Sequence, residues 1–288
     1  DALDFGTAEI DPDLIVALHV NHNELFVAGD QTIELFQNVA GSGFPFQRIP
    51  GANLTKGVHA KFSLIEFDNT FCFIGGGVNE LSAVWKVAGS SSAIKISTDA
   101  IDKEIQKFTK DEISDSFAMT FSRHGQFFAV FTFESETIDS KTFVYNATAS
   151  AITGSSVWFE LQTGVKDGRW RVNEIVAAYG KLLCGDDRGS LIGELDTDTL
   201  TEYGEPIYRE STSKPFDNGG VGVFAGEFEA TFESGVGLTN GVNPVVRLSR
   251  SDNGGRTFGS EVERSIGKIG EYGQRSIWRR QGSFPVSR

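Results

Sequence analysis

The fold is indicated most directly by residues 248–280, which read LSRSDNGGRTFGSEVERSIGKIGEYGQRSIWRR. The octet SDNGGRTF, residues 251–258, lies between two extended segments, and its Asn and Gly residues accept the positive φ angles of a tight hairpin turn. A second glycine-rich turn spans residues 267–273, and residues 275–280 then follow the alternation of a strand. The stretch predicts three consecutive strands joined by two turns.

Upstream of this stretch, a pattern of strand, tight turn, strand, polar turn and strand recurs four times, in units of about 45 residues. The four segments are residues 14–36, 60–87, 116–146 and 172–195. Such repeats are typical of β-propeller blades, because one blade buries its faces only against its neighbours. We therefore predict an all-β protein, a β-propeller that is incomplete or interrupted within this chain and is followed by a C-terminal antiparallel sheet. A β-sandwich with hairpins of similar length is the alternative.

The predicted domains meet near residue 210. Residues 1–210 hold the blades, and residues 211–288 form the C-terminal sheet region, which closes or extends the propeller. One short helix is predicted at residues 98–108, where apolar residues recur at i, i+4 and i+7 and the Ser-Thr pair at its start can supply an N-cap.

Composition argues against several protein classes. The 288 residues include 33 glycines and 24 phenylalanines, as expected for many short strands joined by turns. Cys72 and Cys184 are too few for a disulfide framework or a zinc site, so we expect both to be free and buried. No run approaches the roughly 20 apolar residues of a membrane helix, and the N-terminus lacks a signal-peptide pattern. The start at Asp rather than Met leads us to expect a piece of a longer product.

Charge is distributed unevenly along the chain. The formal net charge is −13, yet residues 245–288 carry nine Lys or Arg against four Asp or Glu, a net of +5. The other residues together carry −18. An acidic body argues against a general nucleic-acid binder, and a basic end suits a subunit that docks an acidic neighbour.

The octet also resembles the Asp-box hairpin, S-x-D-x-G-x-T-W, of sialidase propellers, with Asn in place of Asp and Phe in place of Trp. The positions that match are Ser251, Asn253, Gly255, Thr257 and Phe258. In that motif the polar side chain ties the turn and the aromatic residue packs beneath it, so we predict a structural hairpin and no catalytic role.

No catalytic, metal or cofactor site is predicted. Tyr272, Glu271 and Arg275 could imitate parts of a sialidase site, but all three fall in one turn and cannot surround a sugar. The sequence holds no metal-binding histidine pattern, nucleophile elbow, P-loop or dinucleotide fingerprint. A glycan-binding or sialidase-like propeller remains the alternative from another functional class.

A cluster of basic and aromatic side chains at the C-terminal end is the candidate assembly interface. Arginine combined with Trp or Tyr is typical of protein–protein hot spots. The cluster comprises Arg264, Lys268, Tyr272, Arg275, Trp278, Arg279 and Arg280. The alternatives are a solvated face and a contact to DNA phosphates.

The runs SDNGGRTFGSE and SIGKIGEYGQRSIWRRQGS resemble the packaged-DNA stabilisation proteins, or tail accessory factors, of short-tailed phages, which are the nozzle or hub subunits of the podovirus tail. Three further stretches match in the same order, so the resemblance covers most of the chain. They are PFQRI at 45–49 with Lys56-Gly57, ISTDAI at 96–101, and AYGKLL at 178–183 with Gly185-Asp186.

This resemblance implies a structural virion protein without enzymatic activity. Members of the family form a six-fold ring below the portal and its adaptor, close the tail channel, retain packaged DNA, and offer attachment surface to fibres, spikes or a needle. We accordingly expect a homo-oligomeric ring, without a cofactor or membrane span, that is assembled in the bacterial host cytoplasm and located in the phage tail. Genomic DNA would pass through its channel without sequence-specific contact.

Overall fold

The computed structural model describes residues 6–8, 13–41, 43–89, 92–164, 168–216, 222–236 and 241–284. The chain divides into two compact units, Asp1–Arg209 and Glu210–Arg288. We call them the N-terminal unit and the C-terminal unit. Their boundary lies one residue from the predicted one.

Among its described residues, the N-terminal unit has four antiparallel sheets of three or more strands, which follow one another along the chain. The first sheet has the order β1 (Ile15–Asn21), β2 (Glu24–Gly29), β3 (Ile33–Asn38) and β4 (Phe46–Leu54). The second is built on β7, with β5 (Gly57–Val58) and β6 (Ile65–Phe67) on one side of β7 (Thr70–Gly76), then β8 (Ala83–Ala88) and β9 (Ser92–Lys95). The predicted second repeat therefore begins with an interrupted strand.

The third and fourth sheets complete the series. Two short helices, α1 (Asp99–Ile105) and α2 (Lys110–Ser114), precede the third sheet, and a third helix, α3 (Ala147–Thr153), lies before its last strand. That sheet has the order β10 (Phe117–Arg123), β11 (Gln126–Phe133), β12 (Lys141–Asn146) and β13 (Trp158–Leu161). The fourth has β14 (Val172–Ala178), β15 (Lys181–Asp186) and β16 (Ile192–Glu194), and a small hairpin of β17 (Thr201–Glu202) and β18 (Glu205–Pro206) follows it.

Each sheet opens with a hairpin whose turn has two residues at positive φ, as type I′ turns require. These pairs are His22-Asn23, Asp68-Asn69, His124-Gly125 and Tyr179-Gly180. Such turns match the right-handed twist of the strands that they connect. The fourth turn lies one residue earlier than the predicted Gly180-Lys181, because Lys181 already pairs with Ala178.

The sheets stack in chain order because the inner ones are apolar on both faces. On β7, Phe71 and Phe73 pack in a cluster shared with the first sheet, whereas Cys72 and Ile74 pack in a cluster shared with the third. The third sheet repeats this alternation, since Phe131 faces the second sheet and its neighbour Val130 lies in a cluster shared with the fourth. The period of two that defines a strand thus builds two cores from one segment.

The segment between β5 and β6 of the second sheet runs in the same direction as β10, the first strand of the third sheet. An isolated parallel bridge joins Phe62 to Phe117, and the Ala118 amide donates to the Phe62 carbonyl at 3.0 Å. Contacts beside the I′ turns indicate the same relative direction for the first and second sheets and for the third and fourth sheets. The His19 ring lies 4.6 Å from that of Phe71, and Arg123 donates to the Leu195 carbonyl. Neighbouring sheets therefore carry their I′ turns at the same end of the stack.

The predicted helix is present in shortened form. Thr98 is the N-cap of α1, and its hydroxyl accepts from the Ile101 amide. Ile105 and Phe108 are buried as the apolar spacing predicts, although Phe108 lies beyond the helix end. The other two helices were not predicted.

The described residues of the C-terminal unit form two two-stranded sheets. In one, β19 (Val223–Ala230) pairs with β22 (Ser276–Phe284), and in the other β20 (Val245–Leu248) pairs with β21 (Val262–Ser265). The prediction of three consecutive paired strands is wrong for the third, because β22 pairs with β19. The predicted tight turn is a longer connection, since residues 249–261 separate β20 from β21.

Candidate assembly surface

The predicted interface arginines on β22 bind carboxylates of their own sheet. Arg275 donates through Nε and Nη2 to the two carboxylate oxygens of Glu229, at 2.7 and 2.5 Å. Arg279 donates to Glu227 at 3.2 Å. The Arg275–Glu229 bond lowers the pKa of Glu229 and raises the pKa of Arg275, because each charge stabilises the other. The two arginines are thus partly neutralised inside the unit.

Pairing with β19 also corrects the predicted basic character of this end. The C-terminal unit as a whole, residues 210–288, carries ten Lys or Arg and nine Asp or Glu, a net of +1. The N-terminal unit carries −14. The basic C-terminal stretch therefore belongs to a nearly neutral unit, in which β19 supplies the opposite charge.

Trp278 and Arg264 hold β21 against β22. The Trp278 side chain is 1% exposed, lies 5.8 Å from the Phe228 ring and donates its indole N–H to the Val262 carbonyl at 2.7 Å. Arg264 donates to the carbonyl of Ile277 at 2.9 Å. Trp278 consequently belongs to the core of the unit and cannot contact a partner as a surface residue.

Three of the predicted interface residues are exposed and have few bonds to the rest of the unit. Tyr272 is 72% exposed, although its carbonyl accepts from Ser234 at 2.8 Å. Lys268 and Arg280 are also exposed. Arg280 has φ of 58°, within a bulge that shifts the register of β22 against β19, so the simple alternation predicted for Trp278 and Arg280 ends there.

The Asp-box-like octet forms a self-bonded loop between β20 and β21. The Asn253 side chain accepts from the Thr257 amide at 2.9 Å and donates to the Thr257 hydroxyl at 2.7 Å. The Ser251 hydroxyl accepts from the Gly255 amide at 2.9 Å. Phe258 is 49% exposed, so the expected packing of this ring beneath the turn is not found.

The residues that imitate a sialidase site do not converge on one point. Arg275 is bound to Glu229, and the Glu271 carboxylate accepts from the Lys268 amide at 2.9 Å. Among the described residues, no group of three or more His, Cys, Asp or Glu side chains could hold a metal ion. No helix in the described ranges is long and apolar enough to span a membrane.

Two surface clefts lie in the N-terminal unit. A cleft of about 490 Å³ lies where the second and third sheets meet, and Asp68 on its wall is bound to Lys86 at 2.5 Å. A second, of about 390 Å³, is lined by Arg169, which binds Glu134 at 2.6 Å and Asp187 at 2.8 Å. These charged groups already have partners, so they stabilise the fold.

Burial shifts the pKa values of several cysteine and histidine side chains. Both cysteines are free and buried as predicted, and burial raises the pKa of the Cys72 thiol, which disfavours a reactive thiolate. His59 bonds through Nδ1 to the Ser82 hydroxyl at 2.8 Å. Burial is the main cause that lowers the pKa of His59, and it also lowers that of His19.

Sequence reasoning missed Glu227 and Glu229, which neutralise two arginines of the candidate assembly surface. The two glutamates are two residues apart, so the sequence alone places both on one face of a strand. Their partners could not be identified from spacing, because nearly 50 residues separate Glu229 from Arg275.

Comparison with known proteins gives matches along both units. Residues 1–200 match the family described as Bacteriophage P22 Gp10, beta-propeller, and residues 208–288 match the family described as Bacteriophage P22 Gp10, beta-sandwich. The tail hub protein gp10 of Salmonella phage P22 is 22% identical over 287 residues, which cover 96% of this chain and 56% of that protein. The chain thus spans just over half the length of this relative.

A solved structure of an engineered GH43 glycoside hydrolase is 12% identical, with a TM-score of 0.34 over 76% of this chain and 45% of that one. That likeness is too weak to support an argument. The two family matches follow each other in chain order, agree with an all-β fold that ends in a C-terminal sheet region, and bear out the resemblance to podovirus tail proteins. The chain belongs to the bacteriophage P22 Gp10 family, with a β-propeller region followed by a β-sandwich region.

Proposed function

We propose that this protein is a structural subunit of the tail hub of a short-tailed phage. The observation that carries this proposal is the match of both Gp10 families in order along the chain, together with the similarity of 96% of this chain to the P22 tail hub protein. The same homology to a structural tail protein points away from an enzyme.

The function that we propose is mechanical. Subunits form a ring, expected to be a hexamer, below the portal and its adaptor, and this ring closes the DNA channel and retains the packaged genome. The ring also gives attachment to tail fibres, spikes or a needle. Sheets that are stacked through shared cores suit this role, because close-packed interiors resist deformation.

Charge supports passage of DNA without adhesion. The N-terminal unit carries −14, and a like-charged wall repels phosphates and leaves DNA free to move during ejection. The nearly neutral C-terminal unit, with its paired arginines, is the part that we assign to contacts between subunits.

The proposal is tested first in the virion. In the phage that encodes this chain, a null allele should give particles that lack the tail hub and lose packaged DNA, and complementation should restore both. Mass spectrometry of purified virions should detect the protein, and electron microscopy should place an affinity-tagged copy in the tail. Infectious particles that assemble and hold DNA without the protein would contradict the proposal.

A further inference from the structure

In the described residues of the C-terminal unit, each of the four strands pairs with one other strand and so keeps one unpaired edge. β19 bonds only to β22, and β20 bonds only to β21. Side chains of β21 and β22 donate to carbonyls of the other strand, so these two strands already engage each other, and the unpaired edges of β19 and β20 remain for another chain. Open edges present unpaired N–H and C=O groups that can pair with another chain.

β19 is only partly protected as an edge strand, by its two glutamates. Its sequence, VFAGEFEA, contains neither Lys nor Pro, and Phe224 is 77% exposed. The bulge at Arg280 lies in β22, on the side of β19 that is already paired. A two-stranded sheet is also marginally stable in water, so an added strand would stabilise this one.

The charges on the two edges are opposite. β19 carries Glu227 and Glu229, both partly exposed beside their arginine partners. β20 carries Arg247, which is about half exposed and lies 3.3 Å from Glu263. Opposite charges on adjacent strands stabilise a sheet, whereas like charges directly opposite each other destabilise it.

We propose that β19 of one copy pairs with β20 of the next copy, as a head-to-tail contact between C-terminal units. Pairing of β19 with the β19 of another copy would bring two sets of glutamates together, and pairing of two β20 strands would bring Arg247 against its counterpart. Charge therefore favours pairing of β19 with β20 over pairing of either strand with its counterpart in another copy. A head-to-tail contact of this kind closes into a ring when its rotation permits. This inference rests on the proposed ring and names the surface that builds it.

A charge-swap series of the full-length protein tests this contact. The variant E227R/E229R/R275E/R279E inverts the charge of β19 but keeps opposite charges at both of its pairs with β22, so the unit should still fold. We expect the protein concentration at half-assembly, measured by native mass spectrometry and sedimentation, to rise at least tenfold. Adding R247E/E263R inverts β20 in the same way and should restore assembly.

Matched controls separate the possible outcomes. Circular dichroism and the melting temperature verify folding of each variant, and K181E/E194K swaps an ion pair of the fourth sheet, remote in sequence from both edges, with no expected change in assembly. If the wild-type chain assembles and the folded four-residue swap assembles equally well, the edge contact is wrong while the tail-hub function stands. A wild-type chain that stays monomeric at every concentration overturns the edge contact, and its absence from virions would overturn the proposed function separately.

Discussion

At the scale of single residues, the C-terminal sequence contains buried and exposed aromatic side chains that the sequence alone does not distinguish. Trp278 lies in the core, whereas Tyr272 is exposed, although both were predicted to form an interface. The difference follows from β19, whose Phe228 packs near Trp278. Composition can identify aromatic anchors, but only the strand pairing decides which of them face a partner.

Replacement of Trp278 by Ala should destabilise the C-terminal unit by about 3–5 kcal/mol, because a buried ring and its hydrogen bond to Val262 are lost. Urea denaturation with hydrogen exchange of β21 and β22 measures this change. The control Phe258→Ala removes a ring that is half exposed, and it should cost much less. Equal losses for the two variants would contradict the assigned core.

Replacement of Asn253 by Ala should loosen the loop between β20 and β21 and cost about 1 kcal/mol, since its side chain makes the bonds that close the octet. Faster hydrogen exchange at the Thr257 and Gly255 amides would report the change. Asn253→Asp keeps the oxygen acceptor and should retain most of the protection. Unchanged exchange in the Ala variant would show that the backbone alone holds the loop.

Stability of the N-terminal unit should fall as pH drops below about 6.5, the ordinary pKa of histidine. Burial lowers the pKa of His59 and His19 in the folded state, so the unfolded chain binds more protons in this window and is favoured by acid. The effect is absent above the unfolded pKa and grows towards the lower, folded one. Denaturation from pH 7.5 to 5.0 measures it, and H19Q/H59Q should flatten the profile. A wild-type profile that is already flat would contradict this effect.

At the scale of elements, the hairpins could be predicted, whereas the fourth strands of the sheets could not. His124-Gly125 and its equivalents are two-residue turns between apolar strands, which is a strong local signal. By contrast, β4 contains Pro50 and Gly51 in its middle, so it lacks a strand pattern and is held in place by its pairing with β3. Helix α2 does carry a local signal in the sequence, the capping box of Thr109 and Glu112.

The close approach of the first two sheets gives another testable feature. A Cβ on Gly57 would lie 2.1 Å from the Gln31 amide nitrogen, so Gly57→Ala should force the sheets apart and destabilise the unit by about 1–3 kcal/mol or more. Gly185→Ala, in a strand with no atom within 4 Å of the added methyl, is the control and should be nearly neutral. Thermal melts compare the two, and matching midpoints would refute the tight contact.

At the scale of the whole molecule, folding rearranges the charge pattern of the sequence. The basic C-terminal stretch acquires the glutamates of β19, and the chain becomes an acidic unit joined to a nearly neutral one. Sequence reasoning identified the family and the fold class from motifs in collinear order. It misplaced the basic surface, because long-range pairing between β19 and β22 leaves no local trace.

Duplex DNA should not bind measurably to the protein at physiological salt. The net charge of −13, with Arg275 and Arg279 paired to glutamates, leaves little to replace the counterions of the phosphates. A gel-shift or anisotropy titration tests this, with a basic DNA-binding domain as a positive control. Micromolar binding that weakens steeply with salt would contradict it and would support the DNA-contact interpretation of the arginine cluster.

The shared end of the I′ turns has a practical consequence for orienting the protein in a particle. Nothing lies within 4 Å of a methyl group added at Gly125 or Gly180, so a short epitope inserted at either turn should leave its sheet intact. Both inserts would project from the same end of the stack. Antibody labels on assembled tails would then report the polarity of the subunit, by distinguishing a capsid-facing end from one that points towards the distal tip.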